Sequence, residues 1–183
     1  LLSKGDLVST ISNSMLSKLN NKFSKKSSTK TKLLPNWIDD TLIDPDKSSH
    51  HEYFNEKKFN ILYSGNIGEK QDWNYFVSFA KKLENHHDIE LVIVGHGSKK
   101  EWLIEETKEL KNIKLFNPVP YSELSDLLCS TSMHILFQKI DVIDTVMPSK
   151  ILGMMASKKP SLITGNLKSE VNSTIKESKA GMY

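Results

Sequence analysis

Short, mainly apolar runs, separated by segments with helical spacing of apolar residues, constrain the fold of this chain more than any other feature. The runs occupy residues 59–64, 91–94, 113–116, 133–137 and 161–164. Strands with continuous apolar residues belong to parallel sheets that are covered on both faces. The intervening segments predict helices at 73–83, 102–110, 123–129, 150–156 and 170–177. The sequence therefore predicts an α/β fold with a doubly wound, Rossmann-like parallel sheet.

A β-α-β pattern precedes this region. Residues 6–11 and 32–34 read as strands, and apolar residues recur at helical spacing between them, after a helix cap at Ser12 or Asn13. The polar stretch at 46–57 reads as a linker. We therefore expect three parts: a terminal β-α-β segment with a hinge at 1–45, a linker at 46–57 and the main domain at 58–183.

Composition narrows the function classes. Hydrophobic residues make up 38% and charged residues 26% of the chain, with a net charge of +3. These values are typical of a globular protein and not of a nucleic-acid binder, so no nucleic-acid partner is expected. No apolar run approaches the roughly 18 residues of a membrane span. Cys129 stands alone and is expected to be buried, in a protein of the cytoplasm.

Two strand-to-helix turns contain glycines that let a backbone approach a ligand. The turn after the first long strand holds Gly65, Asn66, Gly68 and Lys70, and the turn after the next strand holds Gly97. A purely structural glycine turn is an equally good interpretation of the first. His96 is expected to have no proton-transfer role, and the histidine pairs at 50–51 and 86–87 are expected to be solvated loop residues, without the spacing of a metal site.

A third turn, at 144–150, is better suited to an anion. Pro148 fits the first turn of a helix, and Ser149 and Lys150 follow it directly. A diphosphate at this helix start would meet free N–H groups, the helix dipole and the Lys150 ammonium. The alternative is a solvated lysine at an ordinary helix start.

Four blocks of sequence resemble retaining GT-B glycosyltransferases of family 4, especially bacterial enzymes of capsule, colanic-acid and O-antigen assembly. They are YSGNIGEKQ at 63–71, VIVGHG at 92–97, PVPYSEL at 118–124, and MPSKIL at 147–152 followed by ASKKP at 156–160. Residues 6–12 and 34–39 also resemble the end of that family's N-terminal domain and its hinge. The resemblance implies that this chain is mainly the C-terminal, donor-binding half of a GT-B fold.

The family resemblance implies a donor, an acceptor and a set of site residues. The donor would be a nucleotide sugar, a UDP-sugar carrying a hexose or N-acetylhexosamine, and the acceptor a lipid-linked or growing glycan. Transfer would retain configuration and need no metal or other cofactor, because helix dipoles and basic groups stabilise the leaving diphosphate. The residues implied at the donor are Gly65, Asn66, Gly68, Lys70, Gly97, Pro118, Val119, Met147, Pro148, Ser149, Lys150, Leu152 and Gly153.

The chain departs from the family at its paired glutamates. They would fall near Thr145 and Gly153, neither of which is acidic. Asp144, one position from the first, is a candidate substitute, and Asp144 and Lys150 are the catalytic candidates. This departure keeps open a non-catalytic GT-B-like partner or scaffold subunit of a polysaccharide assembly complex. An epimerase or dehydrogenase is disfavoured, since GxGxxG and its ribose-binding acid are missing.

Two further expectations concern the rest of the protein. We expect the chain to be a fragment, truncated at both ends and inactive by itself. Residues 14–26 place several lysines opposite an apolar helical face, which leaves open a peripheral contact with the inner face of the cell membrane. The alternative is that this apolar face packs on a first domain, with the lysines solvated.

Overall fold

Strands and helices alternate along the chain, as the spacing of its apolar residues predicts. The computed structural model describes residues 5–23, 29–39, 41–142 and 149–183. The strands in these ranges are β1 Leu7–Thr10, β2 Lys30–Leu33, β3 Phe59–Ser64, β4 Ile89–Val94, β5 Ile113–Phe116, β6 Met133–Phe137, β7 Ser161–Thr164 and β8 Gly181–Met182. The α-helices are α1 Asn13–Lys22, α2 Trp73–Lys82, α3 Lys100–Thr107, α4 Leu124–Ser130, α5 Lys150–Ala156 and α6 Glu170–Ser178.

Six strands form one parallel sheet in the order β5-β4-β3-β6-β7-β8. From β3 the chain winds outward through β4 and β5, returns to place β6 on the other side of β3, and then winds outward through β7 and β8. This confirms the predicted doubly wound, Rossmann-like fold. β1 and β2 form a separate two-stranded parallel sheet with α1 between them.

The core lies on both faces of the large sheet. One apolar cluster joins Ile61 and Tyr63 of β3 to α2, α5 and α6, and a second joins Leu62 to α4 and to Ile43 and Phe54. Alternate residues of β3 therefore serve opposite faces, as the pleat of a strand requires. Both faces are covered, which explains why the strands read as continuous apolar runs.

Most predicted bounds agree with the observed ones, and the differences have local causes. β3, β5, β6, β7 and α5 have the predicted limits. The Ser12 hydroxyl accepts a hydrogen bond from Met15 N at 3.2 Å, so Ser12 and not Asn13 caps α1. β2 begins at Lys30, two residues before its predicted start, because it pairs with β1. The strand β8 has only two residues and no apolar pattern, so the sequence did not reveal it.

The stretch predicted to be a linker packs closely on α4. Ser48 Oγ lies 2.7 Å from Ser125 Oγ, and the Ser49 N–H donates to Asp126 Oδ1 at 2.8 Å. Phe54 is buried in the second apolar cluster. Residues 46–57 are thus part of the packed structure around the large sheet, and the division into 1–45, 46–57 and 58–183 stays a prediction.

The expectation that both histidine pairs are solvated is wrong for one residue. His50, His86 and His87 are exposed, but His51 is buried. Its ring packs edge-on against Tyr53, and its Nε2 lies 3.5 Å from Glu123 Oε2. The burial follows from the packing of residues 46–57 on α4. Cys129 is buried, as predicted.

Candidate functional site

The switch point of the sheet lies between β3 and β6, where the winding reverses. In open α/β sheets the loops leave such neighbouring strands in opposite directions and form a crevice beyond their carboxyl ends. The loop after β3 is tied to the end of β6, since Asp72 N donates to Phe137 O at 3.0 Å and Lys139 N to Lys70 O at 3.1 Å. These two hydrogen bonds hold the loop after β3 in place as one wall of the crevice.

A cavity of about 400 Å³ lies at this switch point, between β3, β6, α4 and α5. Most of its wall is aliphatic, and the polar groups come from the end of β3 and the loop after it, from His134 near the start of β6, and from the start of α5. A mostly apolar cavity with few polar groups is typical of a small-molecule site. The predicted residues that line it are Gly65, Asn66, Ser149, Lys150 and Gly153.

Lys150 is the cation of this cavity. Its Nζ donates to the Tyr63 hydroxyl at 2.9 Å and lies 4.1 Å from the centre of the Tyr63 ring. Burial lowers the pKa of Lys150 from 10.5 to about 8. In the described ranges, the ammonium makes no ion pair with a carboxylate. A half-buried ammonium without a carboxylate partner in these ranges is suited to receive an anion.

Gly65 is needed where Lys150 crosses the loop after β3. Its φ of +135° is in the region that favours glycine, and a Cβ there would lie 2.7 Å from Lys150 Nζ. The sequence predicted that Gly65 allows close approach of a ligand. The structure shows that it allows close approach of the Lys150 side chain.

Sequence reasoning missed Tyr63 and His134, which stand inside the apolar runs of β3 and β6. His134 lines the cavity and is buried, with Nε2 2.8 Å from Ser157 Oγ. Burial, with a smaller effect of the Lys159 charge, lowers its pKa from 6.5 to about 4, so the imidazole is neutral at pH 7. The signal that could have found both residues is a polar side chain in a strand that is otherwise apolar.

Gly153 faces aliphatic side chains and not a polar group. A Cβ on Gly153 would lie 3.1 Å from Leu128 Cδ1, 3.5 Å from Ile43 Cδ1 and 4.0 Å from Ile38 Cδ1. Ile38 and Ile43 precede the large sheet in the chain and close the cavity on this side. The position where the family resemblance implies a glutamate is therefore surrounded by hydrocarbon.

The other predicted donor residues in the described ranges lie outside this cavity. They are Gly68, Lys70, Gly97, Pro118, Val119 and Leu152. A Cβ on Gly68 would lie 2.7 Å from Asn66 Nδ2, and a Cβ on Gly97 would lie 2.4 Å from Ile67 O, so both glycines allow close packing within the loops. Lys70 and Pro118 are exposed, and Leu152 faces a different groove, beside α6.

Three predicted residues, Asp144, Met147 and Pro148, lie outside the described residues. Within the described ranges, no three His, Cys, Asp or Glu side chains come together as a metal site. His96 is exposed in the loop after β4, where its carbonyl accepts from Ile67 N at 2.9 Å. No helix of the described residues is long and apolar enough to cross a membrane.

The sheet order and the cavity at the switch point define a Rossmann-like α/β protein. Within that class, the model of the family "Glycosyl transferases group 1" matches residues 45–182. The chain belongs to this family, which confirms the resemblance found in the sequence.

Among curated proteins, the chain is 32% identical over 174 residues to the putative colanic acid biosynthesis glycosyl transferase WcaI of Escherichia coli K12. The match covers 91% of this chain and 42% of WcaI, so the chain spans less than half the length of that relative.

Solved structures with the same fold include glycosyltransferases. WaaG, described as a glycosyltransferase involved in lipopolysaccharide biosynthesis, has a TM-score of 0.68 at 12% identity, covering 94% of this chain and 47% of that one. The Anabaena protein HepE, solved with UDP and glucose, has a TM-score of 0.60 at 12% identity, covering 96% of this chain and 55% of that one. These likenesses establish the GT-B type of fold.

Proposed function

We propose that this chain binds the diphosphate of a nucleotide sugar in the cavity between β3, β6 and α5. The observation that carries the proposal is the Lys150 ammonium, which is half-buried at the cavity and held by a neutral phenol. A diphosphate here would gain a charge-assisted hydrogen bond from Lys150. Family membership and the UDP in HepE support a nucleotide, and support UDP in particular.

As part of a longer protein, we infer that the chain serves a glycosyltransferase of bacterial surface polysaccharide synthesis. The transferase would move the sugar from a UDP-sugar to a lipid-linked or growing glycan acceptor, with retention of configuration. The match to WcaI supports this pathway class. Lys150 would stabilise charge on the departing diphosphate without a metal or other cofactor, as a pre-organised cation can. The protein would act in the cytoplasm, with a peripheral contact at the inner face of the cell membrane.

UDP titration by calorimetry tests the site. We expect Lys150→Ala to weaken UDP binding by roughly ten-fold or more, because it removes a charge-assisted hydrogen bond. Lys70→Ala tests the second predicted cation, and Lys111→Ala, at an exposed position outside the cavity, is the matched control. Unchanged affinity in Lys150→Ala would contradict the assignment, whatever the result for Lys70→Ala.

The aliphatic surroundings of Gly153 favour one alternative function. An enzyme of this family usually has an acid there, so a non-catalytic partner of a true transferase is the second candidate. Full-length protein incubated with a panel of nucleotide sugars distinguishes the two. A transferase would transfer or hydrolyse at least one donor, and a scaffold would consume none.

A further inference from the structure

Tyr63 connects Lys150 to the loop that follows β3. Its hydroxyl donates to the Asn66 carbonyl at 2.6 Å and accepts from Lys150 Nζ at 2.9 Å. The phenol proton is therefore used in the hydrogen bond to the loop, and a lone pair of the phenol oxygen accepts the hydrogen bond from the ammonium. One hydroxyl group thus holds both the Lys150 ammonium and the backbone of the loop after β3 beside the cavity.

The Tyr63 side chain cannot move easily. It is 1% exposed, and its ring meets Trp73 edge-to-face with centroids 4.9 Å apart. Burial also raises its pKa far above the ordinary range, so it stays a neutral phenol. Lys150, in contrast, lies at the cavity and crosses Gly65, where no side chain blocks it. The rigid partner is Tyr63 and the movable one is Lys150.

Few charges surround this ammonium. In the described part of the chain, the titratable residues at the cavity are Lys150 from α5 and His134 from β6, with Tyr63 of β3 behind Lys150. The side chains from α4 and from residues 38–43 that line it are aliphatic. His134 is neutral because burial lowers its pKa to about 4. Burial likewise lowers the pKa of Lys150 to about 8, so a bound diphosphate would raise it again.

We propose that Tyr63 is a positioning residue for the diphosphate: its hydroxyl holds the Lys150 ammonium beside the cavity in the free protein, and the ammonium leaves it to bind the ligand phosphate. When Lys150 is neutral before binding, a proton is taken up together with the ligand. The inference rests on the proposed function of the cavity. Tyr63 does not touch the ligand and acts through Lys150.

The test is UDP binding by calorimetry between pH 6 and pH 9.5, in pairs of buffers with different ionisation enthalpies, for wild type, Tyr63→Phe and Tyr75→Phe. Tyr75 is an exposed tyrosine of α2 and is the matched control. We expect Tyr63→Phe to weaken UDP binding roughly five-fold at pH 8. The midpoint of the fall in affinity with pH would move to lower pH, because Lys150 loses an acceptor that favours its charged form. Proton uptake at pH 8 would rise accordingly.

A second measurement does not depend on UDP. The Lys150 side-chain resonance, followed by NMR in the free protein, should titrate at lower pH in Tyr63→Phe than in wild type and Tyr75→Phe. Equal midpoints in the three proteins, or an equal loss of affinity at every pH, would show a merely structural tyrosine and overturn the inference alone. Wild type that does not bind UDP would overturn the proposed function as well.

Discussion

Lys150 is charged at pH 7, although its burial disfavours the charged form. Its folded pKa of about 8 lies below the ordinary 10.5, so the unfolded chain binds more protons between these values. The charged lysine therefore lowers the stability of the fold below about pH 8, and this effect disappears as the pH rises above 10.5. A residue that weakens the fold and faces a cavity is typical of a binding site.

Lys150→Met should therefore stabilise the protein and weaken UDP binding. At pH 7 we expect the free energy of unfolding to rise by about 1–2 kcal/mol, after allowance for the lost hydrogen bond and cation–π contact. Urea denaturation at pH 7 and pH 10 measures it, and the gain should shrink at pH 10. Lys111→Met is the exposed control. A destabilised Lys150→Met protein at pH 7 would contradict the argument.

We expect the protein to lose stability when the pH falls below 6.5, because His134 is buried in its neutral form. Its pKa falls from 6.5 to about 4 on folding, so the unfolded state takes up a proton first as the pH drops below 6.5. The free energy of unfolding should fall by about 2 kcal/mol from this group between pH 7 and pH 5. In His134→Gln, urea denaturation at the two pH values should show that much less pH dependence.

The control for this pH dependence is His87→Gln, at an exposed position. It should retain the pH dependence of wild type. Equal dependence in His134→Gln and wild type would show that the imidazole is not neutral in the fold.

At the scale of elements, a segment without regular structure depends on one helix. Residues 44–51 bond to α4 through hydroxyl groups: Ser125 Oγ accepts from Asp44 N at 3.0 Å and lies 2.7 Å from Ser48 Oγ. Ser130 Oγ accepts from His51 N at 2.8 Å. These bonds keep Ile43 in the second apolar cluster, against the wall of the cavity.

Ser125→Ala should loosen this segment. It leaves the Asp44 N–H and the Ser48 hydroxyl with one partner fewer, and we expect a loss of about 1–2 kcal/mol in the free energy of unfolding. Urea denaturation measures the loss, and hydrogen exchange at the Asp44 amide should become faster. Ser122→Ala, three residues earlier and exposed, is the control. Equal stability of the two variants would argue against a role for these hydroxyls.

At the scale of the whole molecule, the small β1-β2 sheet meets the large sheet along α6. The Ser14 N–H, in the first turn of α1, donates to Glu170 Oε1 of α6 at 3.0 Å. Around this bond, a groove of about 200 Å³ separates the ends of β1 and β2 from α5 and α6. α5 therefore separates this groove from the candidate site.

Glu170→Ala should weaken the contact between the two sheets. Without the carboxylate, the amide of Ser14 should exchange its hydrogen faster, while amides of β3 and β4 keep the rate of wild type. Hydrogen exchange followed by mass spectrometry resolves these segments. Glu177→Ala, at another glutamate of the same groove, is the matched control. Equal exchange at Ser14 in the two variants would mean that the carboxylate does not hold α1.

The sequence predicted the features that depend on residues close together along the chain. The runs of β3 and β6 and the helix α5 have the predicted limits, because apolar spacing and turn residues act locally. The glycine turn at Gly65 and the cation Lys150 were also found in this way, and the structure brings them to one cavity. The same local logic failed for His51, whose burial depends on α4.

The sequence by itself determined the alternation of strands and helices, the doubly wound parallel fold and the membership of a glycosyltransferase family. Only the tertiary structure decided which of the predicted residues share a site. Tyr63 and Lys150 stand 87 positions apart, and the phenol meets the ammonium only because β3 is flanked by β6 and covered by α5. Burial changes the pKa of Lys150 and His134 for the same reason: desolvation depends on every element around a group and not on its place in the chain.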